Sequence, residues 1–297
     1  MKAYVILYCL EGFGDQYSNI ITGYKACQDL IILGYQVEVV WVNRNLYFSS
    51  ELPLDIIYDF TPFQQIGINI SYIKTEKELP HNLKFVESKQ SAIKIFVNYI
   101  IENLVNYELP VYDIFGFYRN SVSEYNEKKL PKFTNQFINQ DIINLSNKIC
   151  TEEKLKAIHI RTTDTLNNST FDDLIKDDFF KNRIEKSFQF IEKNTKEKVI
   201  ILSSNKDIKK YYSQHFPNVI FNTFTNDLPL HHSYNRKVDE NINVNHAKEI
   251  LAEMIILSKC DKIFTISRNL SNFLTYGIFH NKYHRDWKNK FIDLIEN

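Results

Sequence analysis

The chain opens on an unbroken apolar run, residues 3–10, of the kind a strand buried on both faces requires. Gly12-Phe13-Gly14-Asp15 then turns the chain. Ile20, Ile21, Tyr24, Cys27, Leu30 and Ile31 follow at helical spacing, and Gly34 is placed to end that helix. Residues 36–42 return to strand character. A strand–helix–strand start implies a parallel sheet. Residues 43–118 are less regular: the pattern predicts short strands near 55–60, 68–73 and 111–118 and a helix near 90–105. Residues 119–134 are polar and broken by Pro131, and read as the interdomain region.

Alternation resumes beyond it. Helices are predicted over 136–149, 178–194, 205–215, 244–259 and 269–279. Strands are predicted over 156–160, 198–202, 218–221 and 261–266. Two successive arrays predict an α/β fold class of two Rossmann-like domains facing a cleft, over residues 1–130 and 131–297. No short-period repeat points to a solenoid. Ligands in such sheets sit outside the carboxyl ends of the strands.

Composition narrows the function classes. The 297 residues carry 36 basic and 36 acidic side chains, and this zero net charge argues against nucleic acid as a partner. The four cysteines form no CxxC pair, which favours a reducing, cytoplasmic setting. No stretch reaches the length of a membrane span, so the expected membrane contact is peripheral, at a lipid-linked acceptor.

Four constellations carry candidate chemistry. In the first, Gly12, Phe13 and Gly14 let backbone approach a ligand at a helix start, where an anion is favoured. Tyr17 stands where a dinucleotide fingerprint needs its third glycine, which disfavours a NAD enzyme. A tight turn alone explains this loop equally well. In the second, His159-Ile160-Arg161-Thr162-Thr163-Asp164 ends a strand. Arg161 suits a phosphate because its planar fork donates two parallel hydrogen bonds and keeps its charge. The bland alternative is an Arg161–Asp164 ion pair. The third, Ser203 and Ser204, reads by itself as helix capping. The fourth, Ser267, Arg268 and Asn269, again joins strand to helix. Three polar strand-to-helix junctions in one domain could cradle a nucleoside diphosphate.

At these residues the chain resembles a family. His159 to Asp164 is similar to the H-x-R-R-x-D motif of the fucosyltransferase superfamily that joins α1,2-, α1,6- and protein O-fucosyltransferases. Gly12 to Asp15, with Trp41 closing the next strand, resembles the start of the nodulation fucosyltransferases. Ile250 to Asp261, leading to Ser267, resembles the last motif of the superfamily. The stretch 43–130 matches nothing in it. The resemblance implies a GT-B-like fold with GDP-fucose as co-substrate, bound mainly by the C-terminal domain. It implies inversion at the sugar carbon and no required metal; the expected acceptor is a glycan or glycolipid on the N-terminal side, and no cofactor is expected. Arg161 matches the family's first arginine. Thr162 replaces the second, Glu253 replaces an aspartate, and Arg268 follows Ser267 where the family has a serine pair. The sequence contains no Asp-x-Asp metal clamp. Asp15 is the first choice for general base, ahead of Glu11, Asp164 and His246. The alternatives are a transferase using another nucleotide sugar, and a noncatalytic nucleotide- or glycan-binding protein on the same fold.

Overall fold

The computed structural model describes residues 1–8, 13–42, 54–73, 76–86, 93–105, 135–149, 155–160, 175–194, 198–203, 206–217, 219–221, 240–266 and 291–292. The chain forms two compact units. One comprises Met1–Asn139 with Tyr234–Ala247, the other Gln140–Ser233 with Lys248–Asn297.

The first unit is built on β1 (Lys2–Tyr8), α1 (Phe13–Ile32), β2 (Gln36–Val42), α2 (Thr61–Gln65), β3 (Ile70–Ile73), β4 (Lys84–Val86), β5 (Ile93–Val97) and α3 (Glu102–Val105). Its sheet has the order β3-β2-β1-β5-β4. β1, β2 and β3 run parallel, as the opening strand–helix–strand pattern demands. β5 and β4 run antiparallel to their neighbours, so the sheet is mixed.

Two expectations fail here. Residues 93–97 form β5, not part of a helix, because Ile93, Ile95 and Val97 are buried between less buried Lys94 and Phe96, a period of two. Residues 55–60 make no strand. A single 3₁₀ turn covers Leu54–Ile56, and Tyr58 makes one isolated bridge to Ile138. Tyr58 and Phe60 instead pack their rings against Trp41, with centroids 6.4 and 6.0 Å away. The predicted elements over 111–118 and 269–279, and the interdomain stretch 119–134, lie outside the described residues.

Gly34 ends α1 as the pattern requires. Its φ is +86°, its N–H donates to the Ile31 carbonyl, and the Tyr35 N–H donates to the Leu30 carbonyl. That pair of bonds is a Schellman cap. A side chain at Gly34 would meet only Met1 at 3.8 Å, so backbone strain decides the outcome. Gly34→Ala is expected to cost about 1–2 kcal/mol, read as a lower urea midpoint at unchanged slope. Gly23, on the same helix, serves close packing: a Cβ there would lie 2.5 Å from Leu7 Cδ2.

The second unit contains α4 (Gln140–Ile149), β6 (Lys156–Ile160), α5 (Asp178–Lys193), β7 (Val199–Ser203), α6 (Lys206–His215), β8 (Ile220–Phe221), most of α7 (Glu240–Lys259), β9 (Lys262–Ile266) and β10 (Phe291–Ile292). Asp177 caps α5, accepting from the Phe179 and Phe180 N–H groups at 3.1 and 3.3 Å. The sheet is parallel throughout, in the order β10-β9-β6-β7-β8. The chain winds outward from β6 to β8, then returns past β6 to place β9 on its other side. One face packs Ile158, Ile160, Val199, Ile201, Phe264 and Ile266 against α5 and α6.

Candidate nucleotide site at a sheet edge

The order of the second sheet reverses between β6 and β9. In open α/β sheets that crevice, at the carboxyl ends of the strands, is where ligands bind. The three strands end together: Ile160 pairs in register with both Ser203 and Ile266. The chain therefore continues into Arg161, Ser204 and Ser267 from neighbouring positions on one edge. Adjacent strands are about 5 Å apart, so the three departures fall within about 10 Å.

One residue inside the edge, His159 pairs with Leu202 on one side and Thr265 on the other. Strand alternation puts these three on the face opposite the α5–α6 core. His159 is 7 % exposed and Thr265 1 %. The Thr265 hydroxyl has no hydrogen-bond partner among the described residues. A buried hydroxyl left without any partner costs about 1–3 kcal/mol, so Thr265 calls for a partner beyond the described residues. Thr265 went unremarked at the sequence level. The available signal was a hydroxyl in an otherwise apolar strand, one residue before its end.

The other sequence-derived residues divide as follows. Ser203 is the buried last residue of β7. Glu253 is half-buried in the middle of α7. Phe13, Gly14 and Asp15 form the backbone of the first turn of α1, which follows the carboxyl end of β1 as expected. Gly12, Arg161, Thr162, Asp164, Ser204, Ser267, Arg268 and Asn269 lie outside the described residues, as does Glu11. Among the described residues, no group of three or more His, Cys, Asp or Glu could hold a metal ion. No described helix is long and apolar enough to cross a membrane.

No protein-family model matches the chain, and no curated protein does. Solved structures match over nearly its whole length. A crystal structure of NodZ alpha-1,6-fucosyltransferase soaked with GDP-fucose superposes with a TM-score of 0.52 at 12 % identity, covering 94 % of this chain and 93 % of that one. Selenomethionine fucosyltransferase NodZ from Bradyrhizobium gives a TM-score of 0.51 at 12 % identity, over 94 % and 92 %. This chain has the NodZ fold. The resemblance first carried by residues 12–15, 159–164 and 250–267 thus extends to the fold, over 94 % of the chain. At this identity the NodZ likeness concerns fold, and the chemistry rests on the residues themselves. Among them, two described cysteines, Cys27 and Cys260, are free and buried.

Proposed function

We propose that this protein is an inverting, metal-independent glycosyltransferase that transfers fucose from GDP-fucose to a glycan hydroxyl. One observation carries the reading: β6, β7 and β9 end in register where the order of the second sheet reverses, and the next residues include Arg161, Ser204 and Ser267. In this proposal the second unit, with its Rossmann-type strand order, holds the nucleotide, and the first unit takes the acceptor. Fold likeness to a fucosyltransferase soaked with GDP-fucose supports the donor assignment.

The reaction is a single displacement. The acceptor oxygen forms a bond to the anomeric carbon as the bond from that carbon to the β-phosphate oxygen breaks, inverting the configuration. GDP leaves with the bonding pair. The acceptor's proton passes to a carboxylate, for which Asp15 in the first turn of α1 is the proposed base. Charge grows on the β-phosphate in the transition state. Arg161 donates to it, assisted by the residues around Ser267, and each well-placed donor is worth about 3–4 kcal/mol.

A thermal-shift panel tests the donor. GDP at a hundred times its dissociation constant adds about 2.7 kcal/mol of stability, so the melting temperature is expected to rise with GDP and GDP-fucose and not with UDP or CMP. Selective stabilisation by UDP or CMP compounds overturns the donor assignment. Thr162, in place of the family's second arginine, favours a second reading, a noncatalytic binder. That reading predicts GDP binding without fucose transfer or GDP-fucose hydrolysis.

A further inference from the structure

The first sheet has a second end, away from the one where β1 leads into α1. There β1 and β2 begin, and α1 and β5 finish. Hydrogen bonds tie these elements together. The Gln36 N–H donates to the Met1 carbonyl at 2.8 Å, and the Asn98 N–H to the Lys2 carbonyl at 3.1 Å. The buried Tyr35 hydroxyl donates to the Tyr99 carbonyl at 2.7 Å and accepts from the Ile101 N–H at 3.4 Å. Tyr35 thereby fixes the link from β5 to α3 against the residues that follow α1.

Apolar side chains gather on the outside of this end. Ile31 and Ile32 finish α1, Tyr99 and Ile100 stand in the link, and Val105 finishes α3. Ile32 is 81 % exposed, Val105 70 % and Tyr99 59 %, and Met1, Ile31 and Ile100 are each more than a third exposed. Single apolar residues on a surface are normal. These six together expose on the order of 600 Å², the top of the ~300–600 Å² range for the largest patch on a typical monomer. A patch of that size marks an interaction surface.

We infer that this end of the first unit is a dimer interface, contacted by the same end of a second copy of the chain. Two features select that partner. The first is area. Homodimer interfaces are about 65 % apolar, so roughly 600 Å² of apolar surface corresponds to about 900 Å² per copy. That exceeds the ~800 Å² per partner of a standard stable interface. The second is charge. A two-fold contact sets a patch against itself, and like charges brought together oppose it. Among the described residues, the rim carries Lys2 with Glu38 at 3.5 Å, Lys25 with Asp29 at 2.7 Å, and Glu102. Both signs are present, so the patch meets its own copy without a single-sign clash. It lacks the basic excess that draws a protein to anionic lipid. Association through this end leaves the first turn of α1, at the other end of the helix, uncovered in both copies.

Sedimentation equilibrium of the full chain, from micromolar to submillimolar concentration, tests the inference. The mass is expected to rise to twice the 35.3 kDa of one chain. Ile32→Glu and Val105→Glu are each expected to weaken association at least tenfold at unchanged melting temperature, because both side chains are largely exposed in the single chain. Tyr72→Glu, at a ring 52 % exposed near the other end of the sheet, is expected to leave association unchanged. Amide exchange on the unmodified protein gives an independent reading: residues 31–35 and 98–105 should exchange more slowly at the higher concentration. A chain that stays monomeric throughout overturns the inference. A dimer that both Ile32→Glu and Val105→Glu leave intact overturns it, as does one that Tyr72→Glu weakens equally, or one without concentration-dependent protection at those residues. A monomer that binds phosphatidylcholine vesicles and loses them on Ile32→Glu assigns the surface to lipid and overturns it as well.

Discussion

Arg161→Ala is expected to lower turnover with GDP-fucose at least a hundredfold, with the circular dichroism spectrum and melting temperature unchanged. The reason is the timing of charge. A guanidinium that meets the β-phosphate as the sugar leaves stabilises the transition state more than the bound donor. Losing it removes about 3–4 kcal/mol of that stabilisation, which is two to three orders of magnitude in rate. Arg161→Lys keeps the charge and loses the fork, so it should recover only part of the activity. Fold stability should not follow, because Ile160, the last residue of β6, is anchored by its own burial and by pairing with Ser203 and Ile266. A variant with near-normal turnover removes Arg161 from the mechanism. A variant that unfolds identifies it as a structural ion-pair partner instead.

Alkaline pH is expected to destabilise the first unit steeply. Burial pushes the Cys27 thiol and the Tyr17 phenol well above their ordinary values of 9.0 and 10.0. In the second unit burial likewise raises Tyr212, with a hydrogen bond to Ser187 acting the other way. These groups stay protonated in the folded protein while the unfolded chain releases their protons. Their contribution is therefore whole below the unfolded values and is lost as pH rises from about 9 toward the raised folded values. Each group costs about 1.4 kcal/mol per pH unit above its unfolded value. At pH 11 that amounts to about 4 kcal/mol in the first unit and about 1 kcal/mol in the second. Against a typical total of 5–15 kcal/mol, the first loss is large. Urea denaturation at pH 8 and pH 11, followed by near-ultraviolet signals of Trp41 for the first unit, measures it. A midpoint that does not move between those pH values contradicts the burial of these groups.

The parts of the fold that could be read from the sequence share a physical cause. β1, β2, β6 and β7 are fully or nearly fully buried, so each appears as a short apolar run, and such runs declare themselves without knowledge of their neighbours. Gly34 marked a helix end for a local reason, its positive φ. Failures came where tertiary partners decide. The segment around Ile93–Val97 has apolar residues compatible with either period, and becomes a strand because β1 and β4 pair with its two edges. Tyr58 and Phe60 look like strand residues and serve as aromatic filler beneath Trp41.

The site was legible in part for the same reason. Arginine, serine and paired glycines after buried strands are visible as departures from the apolar pattern. That Ile160, Ser203 and Ile266 end side by side is not visible, because register between β6, β7 and β9 brings together positions more than a hundred residues apart.

A crystal structure with GDP bound tests the central claim most directly. The account predicts the diphosphate outside the ends of β6 and β9, with its β-phosphate within hydrogen-bond distance of the Arg161 guanidinium. GDP bound elsewhere, or Arg161 closed in an ion pair with Asp164 and out of reach of the phosphate, would contradict it.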